Sequence, residues 1–314
     1  MTHFIRVKPT TFLAAAFVFI LVGSPAQAQN TAATEYEVEE ISDGLYTFRW
    51  GAYRSLFMVT DEGVIVTDPL STDAAKIYRQ EIEYITDQPV RYVVYSQSSW
   101  DRVSGAQIFK DEGAQIVAQE KCVSDLEISP HPDIVAPDIT FSDNYKIAIG
   151  GRELDLYYYG PSISNCFIVM IPRPASALYI VKLVGPPSGW KQPWDPNLAN
   201  YHLYNIVPYL KQVEALAAKE NIKTVIGGFT TFGKDESGNR ILLPPAGPVS
   251  AISETREFWQ TLMAAVQVEM DKGIWSELVP ESMDLSPFEH IRGYREDYFK
   301  IIVWRIAHYQ YTGR

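Results

Sequence analysis

Between Leu45 and Asp68 three strand-like runs follow one another with only turn residues between them, so the first layer of the fold has to be a sheet. Leu45-Tyr46-Thr47-Phe48-Arg49-Trp50 and Ser55-Leu56-Phe57-Met58-Val59-Thr60 have strand composition and alternation. Asp61-Glu62-Gly63 is a hairpin turn, and Val64-Ile65-Val66-Thr67-Asp68 is a third strand ending in an Asp. The pattern then changes to helix and strand in turn. Thr72–Ile85 has helical spacing, with Ala75, Ile77, Tyr78, Ile82 and Ile85 as its apolar stripe, and Pro89 stops it. Residues 90–95 are apolar enough for a buried strand, 103–112 read as one helix closed by Gly113, and 114–118 as another strand.

The second half repeats this order. Residues 152–159, 166–171 and 177–184 read as strands, 201–220 as a long helix, and 223–226 as a strand running into Gly227-Gly228. Helices over 250–272 and 296–309 follow, while the polar, acidic residues 29–40 read as a loose lead-in. Strands first, then alternation, then the same again implies two sheets with helices outside them, as a single domain over residues 29–314. In the last helix Tyr298, Phe299, Ile302, Trp304, Ile306 and Tyr309 offer more aromatic surface than one buried face needs. Packing on a sheet is the expected use, and pairing in a homodimer the alternative.

Arg6 and Lys8, the apolar residues 12–22, and Ala26-Gln27-Ala28 stand in the order of a secretory signal peptide over residues 1–28. The apolar run is short of the roughly 20 residues a membrane span needs. The expectation is a periplasmic or secreted protein with no stable membrane insertion after cleavage. Beyond residue 28 the chain carries 25 Lys+Arg against 38 Asp+Glu, a net charge of −13, which disfavours nucleic acid as a partner. Export permits a disulfide between the only two cysteines, Cys122 and Cys166. Two buried free thiols are the reading taken from sequence, with the disulfide as the alternative.

The order of features resembles the metallo-β-lactamase superfamily over roughly residues 38–314. Asp43-Gly44-Leu45-Tyr46 is similar to its opening strand, residues 61–68 to its "GvvlvD" element, and residues 88–95 to the strand that delivers its metal-binding loop. That loop has the family pattern T-H-x-H-x-D-H-x-x-G, and here it is Ser96-Gln97-Ser98-Ser99-Trp100-Asp101-Arg102-Val103-Ser104-Gly105. The Asp and the closing Gly remain, and all three histidines are gone. Gly160-Pro161-Ser162-Ile163-Ser164 resembles G-x-A-H-T with Ile163 at the histidine. Residues 179–184 resemble the strand ending in the metal-bridging Asp, with Lys182 in its place, and residues 224–229 the strand ending in G-H, with Phe229 last.

The resemblance implies an α+β fold, the four-layer αββα sandwich. It also implies that the former ligand positions are Gln97, Ser99, Asp101, Arg102, Ile163, Lys182 and Phe229. Six of these seven cannot serve zinc, which takes His nitrogen, Cys sulfur or carboxylate oxygen. No cofactor is expected. Hydrolysis that depends on a metal-lowered water pKa is not expected either. Asp101, Arg102 and Lys182 are expected to fill the void as a buried salt-bridge cluster, or else to bind an anion. The loop that overhangs the site carries Trp190, Trp194, Tyr201 and His202, which suit an aromatic ligand.

The favoured function is a non-hydrolytic protein binding a small, anionic or aromatic ligand or a periplasmic protein. One alternative is a metal-independent hydrolase or lyase using Lys182, Arg102 and Asp101, with Ser99 or Ser164. The other is a zinc hydrolase with a relocated site. His131, His202, His290 and His308 supply no ligand spacing for it except His131-Pro132-Asp133, which reads as a turn. There is no G-x-S-x-G elbow, phosphate loop or dinucleotide fingerprint.

Overall fold

The three strands between residues 45 and 68 form the middle of a seven-stranded sheet in the computed structural model, which describes residues 36–313. Its strands lie in chain order: β1 (Tyr36–Ser42), β2 (Leu45–Trp50), β3 (Tyr53–Thr60), β4 (Gly63–Thr67), β5 (Val90–Val94), β6 (Gln115–Gln119) and β7 (Ile139–Phe141). β1 to β4 are antiparallel because turns of a few residues join them, whereas β4 to β7 are parallel because helices cross between them. The crossovers are α1 (Thr72–Ile85), the short pair α2 (Trp100–Val103) and α3 (Gln107–Asp111), and α4 (Lys121–Ile128).

The second sheet holds β8 (Asn144–Ile149), β9 (Arg152–Tyr158), β10 (Ile168–Arg173), β11 (Ala177–Ile180) and β12 (Thr224–Gly227) side by side. A small hairpin, β13 (Phe232–Lys234) with β14 (Arg240–Leu242), precedes the edge strand β15 (Ala246–Pro248), which pairs with β12. The helix α5 (Leu203–Lys219) crosses between the parallel strands β11 and β12, and α6 (Ser250–Asp271), α7 (Val279–Ser282) and α8 (Glu296–Thr312) complete the chain.

Two apolar clusters define four layers. In the first, Ala74, Ala75, Tyr78 and Ile82 of α1 and Phe109 of α3 cover Phe48, Phe57, Val64 and Val66 on the outer face of the first sheet. Ser71 caps α1 by accepting from Ala74 N at 3.1 Å, and the Tyr78 ring stacks on Phe48 at 4.3 Å. In the second, Leu45, Leu56, Met58 and Ile65 meet Leu154, Leu156, Ile168 and Met170 between the sheets, and the cluster continues into Ile206 and Leu210, Phe258 and Leu262, and Phe299 and Ile302 of α5, α6 and α8. The molecule is an αββα sandwich. Each fully buried large apolar side chain contributes about 1.5–3 kcal/mol.

Four readings from sequence are corrected. Residues 36–42, taken within a loose lead-in, pair with β2 as an edge strand. The helix expected over 103–112 is broken after Val103, where the backbone at Gly105 presses against the start of α1: a Cβ there would lie 2.4 Å from Ser71 O. Ile85, placed on the buried stripe, is exposed at the end of α1. Cys122 and Cys166 are not free thiols but a disulfide, with Cα atoms 5.2 Å apart, tying α4 to the segment that enters β10.

In α8 the inner face buries Phe299, Ile302 and Ile306, and Trp304 stacks with His308 at the outside. The signal peptide read in residues 1–28 lies outside the described residues. Among those described, no helix is long and apolar enough to cross a membrane.

Candidate functional site: a cationic, aromatic cavity at the strand ends

The site is built where the strand ends of both sheets meet. β4 leaves the first sheet through Asp68 and Leu70, both at positive φ (38° and 74°), a conformation that side chains other than Gly rarely adopt. The bend turns the Asp68 carboxylate inward. It accepts from Ser96 N at 2.8 Å and from Ser96 Oγ at 2.7 Å, which fixes the start of the loop after β5. Leu70 N donates to Arg102 O at 2.9 Å, so the same bend holds α2 in place.

Arg102 is fully buried and staples the two sheets together. Its Nη1 donates to Arg54 O of β3 at 3.0 Å and its Nη2 to Gly228 O beyond β12 at 2.7 Å. The guanidinium carbon lies 4.9 Å from the Tyr53 ring centroid and 4.4 Å from that of Phe229, within cation–π range. Gly228 has to be glycine, since a Cβ would lie 2.7 Å from Val181 Cα. The expected cluster of Asp101, Arg102 and Lys182 does not form: among the described residues no ion pair joins them. Carbonyl oxygens take the two Nη groups and ring faces flank the guanidinium, its buried Nε has no hydrogen-bond partner among the described residues, and Arg102 does not line the cavity.

That cavity, of about 230 Å³, lies in front of the staple. Of the sequence candidates it brings together Ser99, Asp101, Ile163, Lys182, Phe229, Trp194 and Tyr201. Lys182 follows β11, and burial pushes its ammonium below the usual lysine range, with Asp101 opposing the shift. Asp101 is exposed at the rim; burial, and then Asp101, push the Tyr53 hydroxyl up. Gln97 lies behind the wall, fully buried, with neither amide atom hydrogen-bonded.

Two candidates fall elsewhere. Trp190 is not on the rim but packs into the core against Phe258, Phe288 and His290 at 5.4–6.2 Å. His202 faces a neighbouring groove with Ser98, Asp125 and Ser164, and burial lowers its pKa. His131 accepts from Asp133 N at 3.2 Å, as a turn does, and holds no metal partner.

The sequence reading missed three contributors. Tyr53 and Trp259 complete the aromatic lining, and Lys191 adds a second ammonium to it. Burial, reinforced by Arg292, pushes Lys191 down to about 8. Nothing in the local pattern around Lys191 marks it, whereas Asp68 was visible as the polar end of an apolar strand.

Burial raises the Asp68 carboxyl to about 6, although Arg102 and Ser96 act to lower it. An acid whose folded pKa lies above its unfolded value near 3.9 binds its proton more tightly when folded. Its contribution to stability is therefore full below pH 4 and lost as pH rises to about 6. Relative to Asp68→Asn, the wild-type unfolding free energy should fall by on the order of 3 kcal/mol across that window. Urea melts of both proteins from pH 4 to 7 measure this, and a flat difference contradicts it.

This layered arrangement, with its site at the strand ends between two sheets, is the metallo-β-lactamase fold. A metallo-β-lactamase from Pontibacter korlensis superposes with a TM-score of 0.58 at 21% identity, over 72% of this chain and 99% of that one. DIM-1 metallo-β-lactamase, in a crystal structure exposed to ceftazidime, gives 0.58 at 13% identity, over 72% and 97%. No family model matches the sequence, and no curated protein does.

The zinc pair that the fold implies does not fit the residues present. Among the described residues no group of three or more His, Cys, Asp or Glu could hold a metal ion. The Arg102 guanidinium, at the position the motif frame reads as a histidine, is fixed beneath the Phe229 ring and is no ligand for zinc.

Proposed function

We propose that the chain is a non-hydrolytic member of its fold class that acts outside the cytoplasm, and that its cavity binds a small anionic, aromatic molecule. One observation carries this reading. The Lys182 and Lys191 ammonium groups both line the cavity, and among the described residues neither has a hydrogen bond or an ion pair. An ammonium largely removed from water and contacted by no carboxylate is costly unless a ligand brings a negative charge against it. Asp195, on the same wall, spends its carboxylate on Asn197 N and Ala199 N. Tyr53, Phe229, Trp194 and Trp259 line the same cavity, a composition that suits a flat aromatic ligand.

Benzoate and its neutral analogue benzamide test the reading by calorimetric titration. Benzoate should bind, and Lys182→Met should weaken it about tenfold, the loss of one charge-assisted hydrogen bond, with little change for benzamide. Equal affinities for the two probes, or an unchanged benzoate affinity in Lys182→Met, contradict the proposal.

A further inference from the structure

Lys191 is held more firmly than a loop lysine usually is. Arg292 N donates to Trp190 O at 2.9 Å and Gln192 N donates to Arg292 O at 3.0 Å, so the backbone on both sides of Lys191 is clamped. Its Nζ lies over Gly185, 3.2 Å from the point a Cβ would occupy. Thr231 Oγ1 lies 3.8 Å from the same point, buried and without a hydrogen-bond partner. The neighbouring Arg292 guanidinium cannot swing away, because it donates to Gly185 O at 2.7 Å, Pro187 O at 3.0 Å and Ser188 O at 3.4 Å.

The charged groups around this amine are few. Arg292 faces it, and Lys182, Asp101 and Asp195 share the cavity. Glu254 of α6 acts on Arg292 and accepts from Gly189 N. None forms an ion pair with Lys191. A desolvated amine beside a fixed cation is the arrangement that makes lysine a nucleophile near neutral pH.

We propose that Lys191 captures carbonyl compounds, its amine condensing with an aldehyde or ketone group on the ligand to form an imine; this rests on the reading of the cavity as a site for small anionic aromatic molecules. The nitrogen lone pair forms the C–N bond while the carbonyl π pair moves to oxygen. A proton passes from nitrogen to that oxygen, giving a carbinolamine. Water then leaves as the C=N bond forms, so one water is released and nothing is oxidised or reduced.

The test incubates the purified chain with sub-stoichiometric 4-formylbenzoate and cyanoborohydride, whose hydride reduces the imine to a stable secondary amine, and maps the adduct by peptide mass spectrometry. At pH 7 an amine near 8 holds roughly two hundred times more free base than an unperturbed lysine amine, so Lys191 should be labelled well ahead of the exposed Lys76 and Lys219. Its rate should reach half its maximum near pH 8, and Lys191→Arg should abolish the cavity adduct. Label spread over exposed lysines, with Lys191 unmodified, overturns the proposal, and the wild-type map decides this even where the variant fails to fold. Benzoate titration in parallel separates the two readings. Benzoate binding without a Lys191 adduct sinks imine formation alone, and a Lys191 adduct without benzoate binding sinks the anion reading alone.

Discussion

Replacing Arg102 with Met should lower the unfolding free energy by about 3 kcal/mol, read as a shift of the urea midpoint at pH 7. The two carbonyls it bonds are not orphaned by the change. Arg54 O still accepts from the Tyr179 hydroxyl at 2.8 Å, and Gly228 O from Arg54 N at 2.9 Å. What is lost is two charge-assisted bonds at about 1.5–3 kcal/mol each and the contacts with two rings. Met recovers part of this by packing beneath the same rings. Asp68 gives a second readout. Arg102 is its largest stabilising charge, so removing the guanidinium should drive the Asp68 carboxyl above its value of about 6 and extend the fall in stability with rising pH to higher pH. An unchanged midpoint together with an unchanged profile would mean that Arg102 does not join the sheets.

Removing the disulfide should have an effect of similar size. Cys122 and Cys166 are 44 residues apart, and closing such a loop in the unfolded chain is worth about 4 kcal/mol on the chain-entropy account. The double variant Cys122→Ala/Cys166→Ala, or the wild type unfolded in a reductant, should lose roughly 2–5 kcal/mol. The loss should be accompanied by loosening of the groove beside the main cavity. α4 carries Asp125, which accepts from Ser98 Oγ at 2.7 Å and from Asn165 Nδ2 at 2.6 Å across that groove. Equal urea midpoints with and without reductant contradict the expectation.

The fold was legible because its periodicities are strong. Three adjoining strands between residues 45 and 68 could only make a sheet, and Thr72–Ile85, Ser250–Asp271 and Glu296–Thr312 follow helical spacing to within a few residues of the observed ends. The edge strand Tyr36–Ser42 was not legible, because its residues are mostly exposed and so carry no apolar alternation. The break after Val103 comes from a close approach between Gly105 and Ser71, a tertiary fact with no local signal.

At the site, the motif frame located Ser99, Asp101, Ile163, Lys182 and Phe229 around one cavity. Chemistry read from residue type alone then misassigned Arg102. A cation next to an aspartate suggests an ion pair, whereas the sheets offer Arg102 backbone carbonyls at closer range. Lys191 and Trp190 exchange the roles that sequence gave their loop: the lysine lines the cavity and the tryptophan fills the core. Loop composition cannot show which of two adjacent side chains turns inward.

The central claim is that the metallo-β-lactamase fold here surrounds a cavity of lysines and aromatic rings that does not take up zinc. Elemental analysis by plasma mass spectrometry, on protein produced in zinc-supplemented medium and purified without chelator, tests this directly. The account predicts zinc far below one ion per chain, unchanged by Asp101→Ala. One or two zinc ions per chain that survive dialysis and are lost in Asp101→Ala would contradict it.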